Sequence, residues 1–371
     1  MSRRRVRPRR RRTTNPGSVV NVGAATTGRP VIVRRRWLNG RVPTPSVPLA
    51  HPVHRFAHHE IDFRRRIVTM AVVNRTPDSF YDDGAGAVLE DALAQAHAAA
   101  DAGAEWVDVG GVPFAPGAEL DPAEEAARVA PLIAALRSGD GAGSSEASRR
   151  LILSADTFQP AVAEAALAAG ADVVNDTTGL FHADLGRVVA AAGAHLVVTH
   201  SLAHVRGPRA VVPRPTYGDV VTEVRDHLRR TVDRAVALGV PEERIIVDPG
   251  HDLNKNTRHT LEITRRLDEI AALGLPVLAA VSNKDFIGES LDRHRHERLP
   301  GSLAAAAACV YGGARILRMH DADASVSAAR MIECVFGWRE PARLVHNMGE
   351  ENPPPDRSTL AGHRAHRGGR A

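Results

Sequence analysis

The chain has 371 residues, enough for one large domain or two average ones, and is 43% hydrophobic but only 4% aromatic, so any core must be built from Ala, Val, Leu and Ile. Residues 1–60 hold fourteen arginines and a single acid, Glu60, while the whole chain is only +5; the remainder is therefore net acidic, and a broad polyanion-binding face on the globular part is excluded. No apolar run approaches the roughly 20 residues that span a bilayer, no apolar stretch follows the N-terminal arginines as in an export signal, and two cysteines without metal-type spacing imply no disulfide framework, which fits the cytoplasm.

Residues 1–60, rich in Arg, Pro, Gly and Thr, are predicted to form a disordered tail. Residues 61–340 follow as the folded domain, and 341–371, with Pro353, Pro354 and Pro355, as a second flexible tail. A nucleic-acid partner would rest on the basic tail alone and is not expected.

Between the tails, short β-branched runs alternate with Ala-rich helical stretches. Ile67 to Asn74 reads as a strand, followed by a helix from about Val88 to Ala102. Trp106 to Gly110 precedes a helix over Asp121 to Arg137. Leu151 to Asp156, Asp172 to Asp176 and His195 to His200 are the next strands, the last before a long helix from Tyr217 to Leu238. Arg244 to Asp248, Pro276 to Ser282 and Ala314 to His320 complete the set. Gly103, Gly170, Gly193, Gly239, Gly274 and Gly313 stand just before strands, where helix C-caps favour glycine. Eight such strand–helix units in about 270 residues predict a (β/α)8 TIM barrel.

The strand ends are polar: Asn74, Asp108, Asp156, Asn175 with Asp176, Thr199 with His200, Asp248, Ser282 with Lys284, and Arg318 with His320 and Asp321. In such a barrel the carboxyl ends of the strands form one rim, where the chemistry sits. Of 48 basic residues only Lys255 and Lys284 are lysines. Lysine offers a compact charge with three freely aimed donors and a pKa that burial readily shifts, so both are candidate site residues. Cys309, in an Ala-rich helical run, reads as packing; His58, His59, His294 and His296, among arginines, read as solvated surface.

These residues carry a family resemblance. Asn74-Arg75-Thr76-Pro77-Asp78-Ser79-Phe80, Asp108-Val109-Gly110-Gly111, Ser154-Ala155-Asp156-Thr157, Val174-Asn175-Asp176, Asp248-Pro249-Gly250, Lys284-Asp285-Phe286-Ile287-Gly288 and Arg318-Met319-His320-Asp321 resemble, in order, the motifs of dihydropteroate synthases. The resemblance implies a transferase of folate biosynthesis. Such enzymes condense a dihydropterin methyl pyrophosphate with para-aminobenzoate or a related arylamine, releasing pyrophosphate with Mg2+ assistance. It further implies catalytic roles for Lys284, Asp156 and Arg318. Asp156, Asn175, Asp248, Lys284, Arg318, His320 and Lys255 would bind substrate, Asn74 would bind the metal, and outer helices would pair in a homodimer.

The departures lie on the arylamine side. Where the family carries Glu-Ser-Thr-Arg, this chain has Val112-Pro113-Phe114-Ala115, losing a hydroxyl and a guanidinium. Asp285 stands where a serine would receive the aminobenzoate carboxylate, and like charges about 4 Å apart repel by roughly 1–4 kcal/mol. After Gly250, Gly-Phe-Gly-Lys becomes Asp252-Leu253-Asn254-Lys255; His251 and Asp252 lack a third ligand, so no metal is assigned to them. The pattern is similar to divergent second-copy synthase homologues of actinobacteria, and the alternative expectation is a pterin-binding paralogue without the standard activity.

Overall fold

The computed structural model describes residues 49–74, 85–112, 119–139, 143–344 and 346. A short antiparallel hairpin, β1 (Val53–Arg55) and β2 (Glu60–Asp62), precedes eight parallel strands. These are β3 (Val68–Asn74), β4 (Trp106–Gly110), β5 (Ile152–Asp156), β6 (Val173–Asp176), β7 (His195–Thr199), β8 (Ile245–Asp248), β9 (Val277–Ala279) and β10 (Ala314–Met319). They close in chain order, β10 pairing β3, to form the expected (β/α)8 barrel. Each strand lies within the run that the sequence assigned to it.

The helices begin and end as their caps dictate. The helix Pro122–Ser138 starts with the Asp121 side chain accepting from Ala123 N at 2.9 Å and ends at Gly139. The helix Val220–Ala237 is capped in the same way by Asp219, and Ala322–Val335 by Asp321. The six glycines expected before strands all adopt positive φ, from 63° to 109°, the conformation their position after a helix requires.

Period-two alternation divides each strand between two layers. Outward-facing Ala71, Val107, Leu153, Val198, Val247 and Leu317 pack with the helices. Inward-facing Val68, Met70, Trp106, Ile152, Val173, Val197, Ile246, Leu278 and Ile316 fill the barrel. The hairpin adds Phe56, Ile61 and Phe63 to this inner cluster and so floors the barrel at the end opposite the strand carboxyl termini. Phe56 lies 4.3 Å from the His195 ring centroid and 5.7 Å from that of Trp106.

The hairpin corrects one boundary. Residues 49–60, assigned in the sequence to a disordered tail ending at 60, are here ordered chain; a dozen residues containing one Phe and several His carry too weak a hydrophobic pattern to show it. Residues 1–48 lie outside the described residues, as does most of 341–371. Among the described residues no helix is long and apolar enough to cross a membrane.

Candidate functional site

The same alternation that fills the barrel builds the site. Continuing the inward face one step beyond Trp106, Ile152, Val173, Ile246 and Ile316 reaches Asp108, Ser154, Asn175, Asp248 and Arg318; one step more reaches Asp156 and His320. An apolar plug therefore ends in a ring of polar groups without any break in strand geometry.

Asp108, fully buried, is the hub of that ring. Its Oδ1 accepts a short hydrogen bond from Ser154 Oγ, which in turn accepts from Trp106 Nε1 at 2.8 Å. Its Oδ2 accepts from Asn175 Nδ2 at 2.9 Å and from Arg318 Nε at 2.7 Å. Arg318 also reaches Asp156, Nη2 to Oδ2 at 2.7 Å. Burial alone would lower the guanidinium pKa; the carboxylates of Asp108 and Asp156 more than offset it and raise the value. Burial pushes the Asp156 carboxyl up to about 7, against the pull of Arg318 and with help from Asp108 and Glu125. The sequence showed Asp108 at a strand end without giving it a site role. The signal was present: a lone carboxylate in Trp106-Val107-Asp108-Val109, on the same face as Trp106 and paired in register with Ser154.

The other predicted residues join this ring to different degrees. Asp248 is buried, accepts from Gly250 N at 2.7 Å, and is pushed up by desolvation. Lys284 stands at the position just before the helix Asp285–Leu291, without a side-chain capping bond. Its ammonium is pulled down mainly by desolvation, while Asp252, Asp248 and Asp156 hold it up and Arg318 opposes them. His320 Nδ1 lies 3.0 Å from Ser282 Oγ, and desolvation together with the positive charges of Arg318, Arg295 and Lys284 lowers its pKa to about 4. Asn74 ends β3, with Oδ1 so close to Gly110 that an added Cβ there would sit 3.0 Å away. Arg75 to Phe80, the rest of its motif, lies outside the described residues, as do residues 113–118.

Lys255, expected to bind substrate, is engaged within the protein itself. Its Nζ donates to Gly250 O at 2.9 Å and Leu253 O at 3.0 Å, and lies 2.9 Å from His200 Nδ1. Two of these contacts pin the loop after β8, the third reaches His200 beyond β7, and burial lowers the amine to about 7. In that loop Asp252 (φ 64°) and Asn254 (φ 52°) hold left-handed backbone, which Asp and Asn tolerate better than other side-chain-bearing residues. Asp252 accepts from Phe286 N at 3.2 Å and Thr260 Oγ1 at 3.0 Å, tying the loop to two helices. His251 is buried between Phe286 and Cys309, and among the described residues no three potential metal ligands cluster.

Asp285 also differs. Its side chain is 85% exposed and pairs with Arg298 Nη1 at 2.9 Å, so water and a guanidinium both weaken the repulsion the sequence implied. Arg298 also donates to Asn283 O at 2.9 Å and Arg293 O at 3.2 Å. As expected, Cys309 is buried and His58, His294 and His296 are exposed, whereas His59, also expected on the solvated surface, is half-buried.

Asp108, Asp156, Asn175 and Arg318 thus form a hydrogen-bonded polar ring on the barrel rim, flanked by Asp248 and Lys284, whose charges and amide can pair with a polar ligand. Residues 70–320 match the model of the family described as pterin binding enzyme, and the chain belongs to that family. It is 42% identical over 287 residues to the inactive dihydropteroate synthase 2 of Mycobacterium leprae, covering 76% of this chain and 95% of that protein. It is 35% identical over 277 residues to the dihydropteroate synthase of Escherichia coli K12, covering 74% and 93%. The structure of Xanthomonas albilineans dihydropteroate synthase with 7,8-dihydropteroate superposes with a TM-score of 0.66 at 34% identity, covering 76% of this chain and 98% of that one.

Proposed function

We propose that the chain binds a dihydropterin on the barrel rim and acts as a dihydropteroate-synthase-like transferase, joining the pterin methylene to an arylamine with loss of pyrophosphate. One observation carries the reading: Asn175 Oδ1 is buried without a hydrogen-bond partner, in a ring that also holds Asp156 and Asp248. Leaving such an acceptor unpaired costs about 1–3 kcal/mol, which a ligand edge rich in N–H donors recovers. Lys284 then faces the ring carbonyl. Arg318 and His320, at the end of β10, receive the phosphate oxygens, as loops after the last barrel strands commonly do. The attacking amine nitrogen forms the new C–N bond as the C–O bond to pyrophosphate breaks, and the amine proton leaves to solvent or to a rim carboxylate.

Asn74 fits Mg2+ as a single amide-oxygen ligand, since this ion often takes one or two protein oxygens and completes its shell with substrate phosphates and water. An ion held there would disperse charge on the departing pyrophosphate. The protein would work in the cytoplasm, as a homodimer through outer helices where Tyr311 (51%), Met331 (62%) and Val335 (47%) are exposed.

A second reading, a pterin-binding paralogue without this turnover, is favoured by Val112-Pro113-Phe114-Ala115, where the family carries Glu-Ser-Thr-Arg. The name of the M. leprae relative points the same way. One assay separates them: pyrophosphate release from dihydropterin methyl pyrophosphate with Mg2+ and para-aminobenzoate. Release well above that of Lys284→Ala supports the transferase. No release by a protein that still binds pterin, in a manner lost in Lys284→Ala, supports the second reading.

A further inference from the structure

An amide side chain looks nearly the same from both ends, so a ligand can meet either its oxygen or its nitrogen unless something fixes which way it turns. Here the fixing group is visible. Asp108 Oδ2 is an acceptor only, and at 2.9 Å the atom facing it must be the Asn175 nitrogen. Arg318 Nε donates to that same oxygen at 2.7 Å, and Ser154 donates to Oδ1 from the other side, so the carboxylate itself has no freedom to rotate away. Trp106 holds Ser154 in turn. The Asn175 oxygen is thereby turned away from Asp108, where it is buried and unpartnered.

We propose that Asp108 is a positioning and specificity-determining residue: by locking the Asn175 amide it presents an acceptor to the ligand, so the ring edge seated there must carry an amino or N–H donor and not a carbonyl. The selection acts through Asn175 and rests on the pterin reading above. A ring with oxygen in place of that donor would set two acceptors against each other in a buried place, and sites built to pair a donor discriminate strongly against analogues lacking it.

Calorimetric titration with two probes tests this: 6-hydroxymethylpterin and the analogue with oxygen replacing the ring amino group. The wild-type protein should prefer the amino form by roughly 10–100-fold. In Asp108→Ala the amide can turn over, and the preference should fall to within about threefold. Asp108→Asn can still offer one oxygen to Asn175 and should retain most of the preference, a rescue that a merely structural role would not produce. A preference unchanged in Asp108→Ala overturns the proposal. If that variant does not fold, neutron diffraction of the wild-type protein reads the Asn175 deuterons directly; finding them turned away from Asp108 overturns it equally. Equal binding of both probes by the wild type defeats this inference while leaving a pterin site in place, whereas binding of neither probe defeats both.

Discussion

Asp156 shows how one residue couples binding, stability and pH. Its folded-state pKa is raised from 3.8 to about 7 by burial, so below that value the native carboxyl holds a proton that the unfolded chain releases. Its contribution to stability is therefore fully present below the unfolded value and is lost as pH rises through 7. Binding runs the other way, because a ligand donor needs the ionised oxygen. Pterin affinity should rise by up to roughly tenfold between pH 6 and pH 8, and Asp156→Asn should flatten that profile in calorimetry while melting higher than wild type at pH 8. Flat wild-type binding across this range would refute the assignment. Most of this ring could be read from the sequence, because strand ends are visible as polar residues closing apolar runs. For Asp108 the sequence shows the lone carboxylate on an apolar strand, but not that Ser154, Asn175 and Arg318 meet it from three other strands. Lys255 shows the converse. Scarcity marked it, but only the folded loop shows its ammonium spent on Gly250 and Leu253 carbonyls.

At the scale of elements, the barrel strands were readable because each is a short apolar run punctuated by glycine, whereas the flooring hairpin was not. β1 and β2 are three residues each and contribute only Phe56, Ile61 and Phe63 to the core, among histidines and arginines that dominate the local composition. The floor carries its own titration. His54 and His195, ring centroids 5.4 Å apart and almost fully buried, have pKa values lowered mainly by desolvation to about 4 and about 3. The unfolded chain takes up protons near 6.5 that the native floor excludes, so stability is full above 6.5 and falls as pH drops toward 4. Each ring should cost on the order of 3 kcal/mol at pH 4 relative to pH 7.5. His195→Phe, which keeps an aromatic ring against Phe56, should reduce the difference in stability between the two pH values by about 3 kcal/mol in urea titrations. An unchanged pH dependence would place the acid-labile element elsewhere.

For the whole molecule, the charge asymmetry and the hairpin bear on where the folded unit begins. The sequence sets a basic segment against an acidic domain and places the boundary at 61, because residues 1–60 mix Arg with Pro, Gly and Thr and hold a single acid. The structure begins its packing earlier: Phe63 N bonds to Pro52 O at 2.8 Å, β1 pairs β2, and Phe56 is 8% exposed against Trp106 and His195. A chain starting at residue 61 would lose Phe56 and His54 from the floor, leave β2 without its partner, and open the inner cluster to water. Burying one phenylalanine is worth about 1.5–3 kcal/mol, and losing the hairpin bonds and the His54 packing adds to that. Against a total stability of about 5–15 kcal/mol, the deficit is large. A truncation at residue 49 should therefore melt well above one at residue 61, by roughly 5 °C or more for a domain of this size. The lost floor lies at the far end of the barrel from Asp108, Asp156 and Arg318, so at temperatures where both fold the two truncations should bind pterin alike. Equal melting temperatures would show that the hairpin rests on the barrel without stabilising it.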